Sequence, residues 1–181
     1  FVLANGEGYP VFSRIYAPDW HLIPNLAIEA LGLLLLKVVP IHVAVRLLIA
    51  LSVLLPIIGS VYYARTISGT RSYWPLATGL LGYNAFLLLG FLNFQMSIGL
   101  AFIAAAVWHS GRKDQVWRTS LIVALLAVVI FFCHIIGLLF LAILLCADEV
   151  AEPGMSKSPR LVGARLVALG LVFAAPVVLY L

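Results

Sequence analysis

The chain has 181 residues, of which 64% are hydrophobic and only 10% are charged, and its mean hydropathy is +1.14. A soluble domain carries about 25% charged residues, because its surface has to be hydrated, so this composition excludes an ordinary soluble protein. The net charge of +4 is small and dispersed, which argues against a nucleic-acid-binding surface. We therefore predict an all-α fold, a polytopic transmembrane helix bundle with an extracytoplasmic loop and a short interfacial or re-entrant helix.

Both ends of the chain have the character of internal segments. It starts at Phe1 without Met, and the following residues to Pro24 are rich in Gly, Pro and polar side chains. No basic region precedes an apolar run there, as a signal peptide would require. The last residue, Leu181, still belongs to an apolar run. We expect a fragment truncated at both ends, with an extracytoplasmic loop and interfacial helix at 1–40 and a transmembrane bundle at 41–181.

The first apolar run lies between Pro24 and Pro40. It is shorter than the roughly 20 residues that a membrane span needs, so it predicts an interfacial or re-entrant helix. The run at 41–64 is long enough to span, and Pro56 inside it is tolerable because neighbouring helices can satisfy the freed carbonyl group.

The next apolar runs predict hairpins. Residues 73–110 are too long for one span and carry Asn93 and Gln95 near the middle, which favours helices at 74–91 and 95–109. The run 119–147 would be about 43 Å long as one helix, well beyond a ~30 Å hydrocarbon core. It is either one long tilted helix or two short helices that turn near 133–137. The last span is predicted at 166–181.

The positions of the basic residues favour the pair of short helices at 119–147. Lys and Arg are enriched in cytoplasmic loops. If the run goes in and comes back, the connectors 65–73, 111–118 and 148–165 lie on one side, and eight of the eleven basic residues are cytoplasmic. A single crossing would move three of those eight to the outside. The protein is therefore expected in contact with the lipid bilayer, with its first loop outside the cytoplasm.

The first candidate site is a polar cluster in that loop. Arg14, Asp19 and His21 lie close together in sequence, beside Trp20. A carboxylate and an imidazole could act as a general base or bind a divalent metal ion, and an arginine can hold a phosphate with two hydrogen bonds. These side chains could equally be solvated loop residues beside an aromatic anchor at the membrane surface.

A second candidate is the pair His42 and Arg46, four residues apart and so on one helix face. A charge inside a membrane segment is costly and marks a functional hypothesis. Arg46 could instead extend to the lipid headgroups or pair with an acid such as Glu29.

His134 is the third candidate, because it stands alone in an apolar run. A lone histidine there usually makes one structural hydrogen bond, but at the tip of a hairpin it could face a cavity. The amides Asn84, Asn93 and Gln95 are expected to make packing hydrogen bonds.

The order of these features resembles the N-terminal half of the GT-C superfamily, multi-span glycosyltransferases that use polyprenyl-phosphate-linked sugars. It resembles still more a group of uncharacterised bacterial membrane proteins. The matching stretches are DWHLIPN at 19–25, AVRLL at 44–48, YYARTISG at 62–69, YN at 83–84, GFLNF at 90–94 and HIIGLLFL at 134–141.

The resemblance implies an enzyme of a bacterial inner membrane that transfers a sugar from a polyprenyl-phosphate carrier to an acceptor outside the cytoplasm. An acid of the first loop would serve as catalytic base or help to hold a divalent metal. Asp19 is the candidate, with Glu7 behind it and an acid upstream of Phe1 as the alternative. His21 would assist in catalysis, and Arg14 or Arg46, with His42 and His134, would contact the substrate. The metal, the sugar, the acceptor and the oligomeric state are not indicated.

A non-enzymatic membrane protein is the alternative, either a transporter or a structural subunit of a membrane complex. Transporters use interrupted helices at their binding sites, and the run 119–147 has that form. Transporters often carry internal repeats as well, and this sequence shows none.

Overall fold

The computed structural model describes residues 11, 23–69, 73–152 and 159–181, and the regular elements of these residues are all helical. In chain order they are α1 (Ala27–Leu36), α2 (Ile41–Ser68), a 3-10 helix (Trp74–Leu81), α3 (Ala85–Leu88), α4 (Leu92–Gly111), α5 (Val116–Cys133), α6 (Ile135–Val150) and α7 (Pro159–Tyr180). Among these, α2, α4, α5 and α7 are long and apolar enough to cross a membrane. The predicted all-α helical bundle is confirmed, and its four candidate spans indicate an integral membrane protein.

Helix α4 is the centre of the bundle and packs against α2, α5 and α6. Its buried face is made largely of small residues, including Ala101, Ala104 and Ala105. Small side chains let helix backbones approach closely, which is how membrane helices gain packing energy without a hydrophobic driving force. The sequence of α4 therefore suits a helix that is surrounded by other helices rather than by lipid.

The closest approach is between α2 and α4, at Gly59 and Gly99. A Cβ atom added to Gly99 would lie 2.4 Å from the backbone carbon of Leu55 and 2.5 Å from the nitrogen of Pro56. A Cβ atom added to Gly59 would lie 2.4 Å from the carbonyl oxygen of Gly99. Only glycine fits at this crossing.

Helices α5 and α6 form the predicted hairpin. The ring of His134, between the two helices, lies 5.5 Å from that of Phe94 in the first turn of α4. At the other end of α4, Trp108 donates a hydrogen bond to Glu149 near the end of α6. Helix α5 thus runs back along α4 and α6 returns beside it. The prediction of two short helices in 119–147 is confirmed, with the turn at His134.

The prediction of one continuous helix at 74–91 is wrong, although the chain does return across the bundle in this segment. The 3-10 helix is followed by a turn and by α3, which has only four residues. Gly79 and Gly82 weaken a continuous α-helix, because glycine is a poor helix former. Gly82 also lies against α2, where an added Cβ atom would be 3.2 Å from Val53. The second predicted helix, 95–109, begins earlier, at Leu92.

Two ends of the bundle can be distinguished. At the basic end, α2, α4 and α6 finish and α5 and α7 begin. Its described basic residues are Arg65, Arg112, Lys113, Arg118 and Arg165. At the opposite end, which we name the α1 end, the described basic side chains are Lys37 and Arg46.

The close packing at Gly59 and Gly99 predicts that adding one methyl group there lowers the stability of the bundle. Gly99→Ala should lower the free energy of unfolding by roughly 1–3 kcal/mol, because the backbones of α2 and α4 must move apart. Gly170→Ala is the matched control, since no atom lies within 4 Å of an added Cβ atom on α7. Unfolding in mixed detergent micelles measures both variants. Equal stability of the two would contradict the close packing.

The basic end is predicted to face the cytoplasm, because Lys and Arg favour that side. In a variant lacking Cys133 and Cys146, a cysteine in place of Lys37, which is exposed in the turn between α1 and α2, should react with an impermeant maleimide on intact cells. A cysteine at Arg118 should react only after the membrane is permeabilised. The reverse labelling pattern would invert this topology.

Candidate functional site

Seven ionisable side chains gather at the basic end, and we name them the charge cluster. Their elements are the end of α4 and the turn that follows it, the end of α6 and the turn that follows it, and the first half of α7. The members are His109, Arg112, Lys113, Asp148, Glu149, Glu152 and Arg165.

Arg112 is the central residue of the charge cluster and is only 2% exposed. Its Nη1 contacts Asp148 Oδ2, and its Nη2 donates to Glu152 Oε2 over 2.7 Å. Its Nε lies 3.6 Å from Glu149 Oε1, which is an ion-pair contact but not a hydrogen bond. One guanidinium thus faces three carboxylates from α6 and the turn after it.

Glu149 joins three helices. Its Oε1 accepts a hydrogen bond of 2.8 Å from Trp108 Nε1 on α4. Its Oε2 accepts one of 3.2 Å from Arg165 Nη1 on α7. Glu149 and Arg165 are both buried. A buried charge is tolerated only when it is paired and hydrogen-bonded.

The charge cluster is electrically balanced. Three cations, Arg112, Lys113 and Arg165, oppose three carboxylates, so the sum is zero when His109 is neutral. Hydrogen bonds from Arg112 and Lys113 hold the pKa of Glu152 below the ordinary glutamate value. This carboxylate is therefore ionised at neutral pH, as the balance requires.

The two ring nitrogens of His109 have different surroundings. Its Nδ1 lies 2.6 Å from Asp148 Oδ1. Because an ionised carboxylate only accepts hydrogen bonds, Nδ1 carries a proton, and in the neutral ring Nε2 is then the acceptor. Among the described residues nothing hydrogen-bonds to Nε2. His109 lines a cleft of about 450 Å³ between α2, α4 and α6, so a basic nitrogen is presented to whatever occupies that cleft.

The amide side chains at the α1 end make packing hydrogen bonds, as predicted. Asn93 accepts from Ile28 N over 3.0 Å and donates to Asn25 O over 2.8 Å, which ties the start of α1 to α4. Asn84 caps α3 and accepts a hydrogen bond of 3.0 Å from Gln95.

His134 is a helix cap. Its Nδ1 accepts a hydrogen bond of 3.1 Å from Ile136 N at the start of α6, and burial lowers the pKa of its imidazole. A neutral ring is what an accepting Nδ1 requires. His134 therefore makes a structural hydrogen bond, which was one of the two predicted alternatives. Its contact with a substrate stays a prediction.

A narrow apolar groove of about 200 Å³ separates α1 from α2 at the α1 end. Gly32, Leu36, Ala44 and Leu48 contribute to its walls, and Glu29 is its charged lining residue. The groove is almost entirely apolar and opens to the surface of the bundle.

His42 and Arg46 are exposed in the first two turns of α2, from which Ala44 and Leu48 line this groove. Within the part of the chain that the structure describes, neither forms an ion pair, and Arg46 is not paired with Glu29. The other candidates, Arg14, Asp19 and His21, lie outside the described residues.

Sequence reasoning missed the charge cluster, although the sequence carried a signal for it. The predicted hairpin places 111–118 and 148–165 on the same side of the membrane. The first segment is basic, and the second opens with three acids, Asp148, Glu149 and Glu152. Opposite charges at the ends of neighbouring helices predict contact, and this could have identified Arg112 as their partner.

The fold and the site define a class, an integral membrane helix bundle with a buried ion network at one end. Comparison with protein families, with curated proteins and with solved structures found no significant match for this chain.

The contacts of Glu149 predict a large loss of stability on removing its charge. Glu149→Gln should lower the free energy of unfolding by about 3–5 kcal/mol, because it leaves Arg165 buried without its counter-ion. The matched control is Asp114→Asn, an exposed acid between α4 and α5, which should change stability by less than about 0.5 kcal/mol.

A double-mutant cycle in detergent with Arg165→Met measures the pairing directly. The double variant should be less destabilised than the sum of the two single changes, since it leaves neither charge unpaired. Additive losses would show that the two side chains do not interact.

Proposed function

We propose that this protein is an integral membrane glycosyltransferase-like enzyme of GT-C type. It transfers a sugar from a polyprenyl-phosphate carrier to an acceptor on the α1 side of the membrane. The observation that carries the proposal is the apolar groove between α1 and α2, with His42 and Arg46 exposed on the turns of α2 that also line the groove. Such a groove suits a hydrocarbon chain, and an adjacent cation suits the phosphate at its end.

The positions of the groove and of Arg46 on α2 support this arrangement. Ala44 and Leu48 line the groove, and Arg46, two residues from each, is exposed on another face of the same turns of α2. An arginine there can extend toward the headgroup region and bind a phosphate oxygen pair through its planar guanidinium. The carrier would lie with its chain in the groove and its phosphate at Arg46 and His42.

The catalytic step requires a base for the acceptor hydroxyl. The loop that carries Arg14, Asp19 and His21 joins the described chain at Ile23, at the α1 end. Asp19, or an acid upstream of Phe1, would accept the hydroxyl proton as the acceptor oxygen bonds to the sugar's anomeric carbon. The bond from that carbon to the carrier phosphate breaks, and Arg46 or Arg14 stabilises the negative charge of the departing phosphate.

A divalent metal would have to be held by the loop. Among the described residues no group of three His, Cys, Asp or Glu side chains could hold an ion. The loop acids and His21 would be its ligands, and a bound metal would supply charge neutralisation at the phosphate.

Transfer of a labelled sugar from polyprenyl phosphate tests the proposal on protein in lipid nanodiscs. Arg46→Gln should raise KM for the donor by about tenfold or more, because a hydrogen bond between charged groups contributes about 1.5–3 kcal/mol. Asp19→Asn should lower kcat by about 10²–10⁴-fold, as expected for the loss of a general base.

Two matched controls keep these results specific. Arg65→Gln removes an exposed arginine from the basic end of the same helix, and Asp114→Asn removes an exposed acid from that end. Both should leave KM and kcat unchanged. No transfer by the unmodified protein with any polyprenyl donor, metal or acceptor would overturn the proposal and favour a transporter or structural subunit.

A further inference from the structure

The cleft at the basic end is independent of the groove proposed for the carrier lipid and lies at the other end of the bundle. Its walls are Tyr63 and Ile67 of α2, the end of α4 and the turn after it, and the end of α6 and the turn after it. The rim contains three exposed apolar residues, Ile67, Ala147 and Ala151. A ligand entering there passes from an apolar rim to a polar interior.

The interior of the cleft presents hydrogen-bond acceptors. In the neutral ring, His109 Nε2 is an acceptor with no hydrogen-bond partner among the described residues, because Nδ1 donates to Asp148. The carboxylates of Asp148 and Glu152 also line the cleft. A ligand group that donates several hydrogen bonds and carries a positive charge fits this interior, and a primary ammonium group has both properties.

Cations line the same cleft. Lys113 has a side chain that is 57% exposed while its Nζ contacts Glu152. Arg112 is buried in the lining, where its guanidinium faces the carboxylates of the charge cluster. Lys113 is therefore the cation that a phosphate following the ammonium group toward the rim would contact, with the charge of Arg112 behind it.

The charge balance selects between kinds of ligand. The lining carries two cations and two carboxylates, so it offers no net attraction to an anion. A zwitterion with both signs of charge leaves the sum unchanged and pairs each of its charges. The apolar rim further favours a zwitterion attached to a hydrocarbon chain.

We propose that this cleft binds the headgroup of a zwitterionic phospholipid with a primary amine, that is, phosphatidylethanolamine. The ammonium group donates to His109 Nε2 and to the carboxylates of Asp148 and Glu152. The phosphate lies at Lys113, with the charge of Arg112 behind it, and the acyl chains leave over the rim formed by Ile67, Ala147 and Ala151.

Lipid binding to the delipidated protein tests this, with native mass spectrometry as the readout. Phosphatidylethanolamine should bind at least about tenfold more tightly than phosphatidylcholine, whose quaternary amine cannot donate a hydrogen bond. The mono- and dimethylated lipids should fall between the two, because each methyl group removes one N–H donor. Equal binding across the series, or tighter binding of phosphatidylglycerol, would overturn the proposal.

Substitutions locate the effect. His109→Leu should reduce the preference for phosphatidylethanolamine over phosphatidylcholine to less than about threefold, and Lys113→Met should weaken both lipids. His42→Leu and Lys37→Met, at the α1 end, are the matched controls and should retain the full preference. Unfolding curves establish that each variant is folded. The same preference in folded His109→Leu as in the unmodified protein would also overturn the proposal.

A further arm separates two sources of the same headgroup chemistry. Soluble phosphoethanolamine at millimolar concentration should fail to displace the lipid, because it lacks the chains that contact the apolar rim. Displacement at the affinity of the lipid itself would support the ammonium-phosphate chemistry but overturn its assignment to a membrane lipid.

Discussion

The buried guanidinium of Arg112 is the constraint on which the rest of the bundle depends. A guanidinium keeps its charge when it is buried, so at 2% exposure it is tolerated only with counter-charges beside it. Its carboxylate partners follow it in sequence by 36 residues or more, on the end of α6 and in the turn beyond. They can reach it only if α5 runs away from the basic end and α6 returns. The charge cluster therefore selects the hairpin over a single long crossing. The charge cluster determines which arrangement of helices forms more than it raises the stability of that arrangement. Buried ion pairs often stabilise a protein no better than apolar packing does.

The second requirement is that several helices contact α4 at once. At Gly99 the backbone of α4 contacts the backbone of α2. In the first turns of α4, Ser97 lies against Gly137 of α6. The alanines between them leave room for neighbouring helices on both sides. Close packing along α4 fixes the relative heights of the helices, and this in turn brings Trp108 level with Glu149. The close packing at the small residues and the ion pairs of the charge cluster therefore require the same alignment of the helices. A shift of one turn along α4 would disrupt both.

The sequence predicted the parts of the fold that hydropathy and charge determine. The long spans, the short helix before α2 and the hairpin at His134 follow from run length and from the positions of Lys and Arg. The region of Gly79 and Gly82 did not follow, because an apolar run does not distinguish an α-helix from a 3-10 segment that rests on α2. The charge cluster was missed because its two halves lie about 40 residues apart and each half alone has the appearance of an ordinary polar connector. His134 caps α6 because the chain turns at this residue. The hydrophobic periodicity of the sequence does not indicate which residue of the run makes that hydrogen bond.

The two ends of the bundle differ in their chemistry for a physical reason. At the α1 end the polar groups that hold α1, α3 and α4 together are amides and backbone groups, which carry no charge and need no counter-ion. That leaves Arg46 free of ion pairing among the described residues and available to an anionic headgroup. At the basic end every carboxylate of the charge cluster is already matched by a cation, so a ligand there has to bring both charges or neither. A phosphate without a compensating amine is therefore suited to the α1 end, and a zwitterion to the cleft beside His109. Helix α2 links the two sites, because its first turns line the groove and Tyr63 and Ile67 near its end line the cleft. The charges that distinguish the cleft lie on α4, on α6 and in the turns after them.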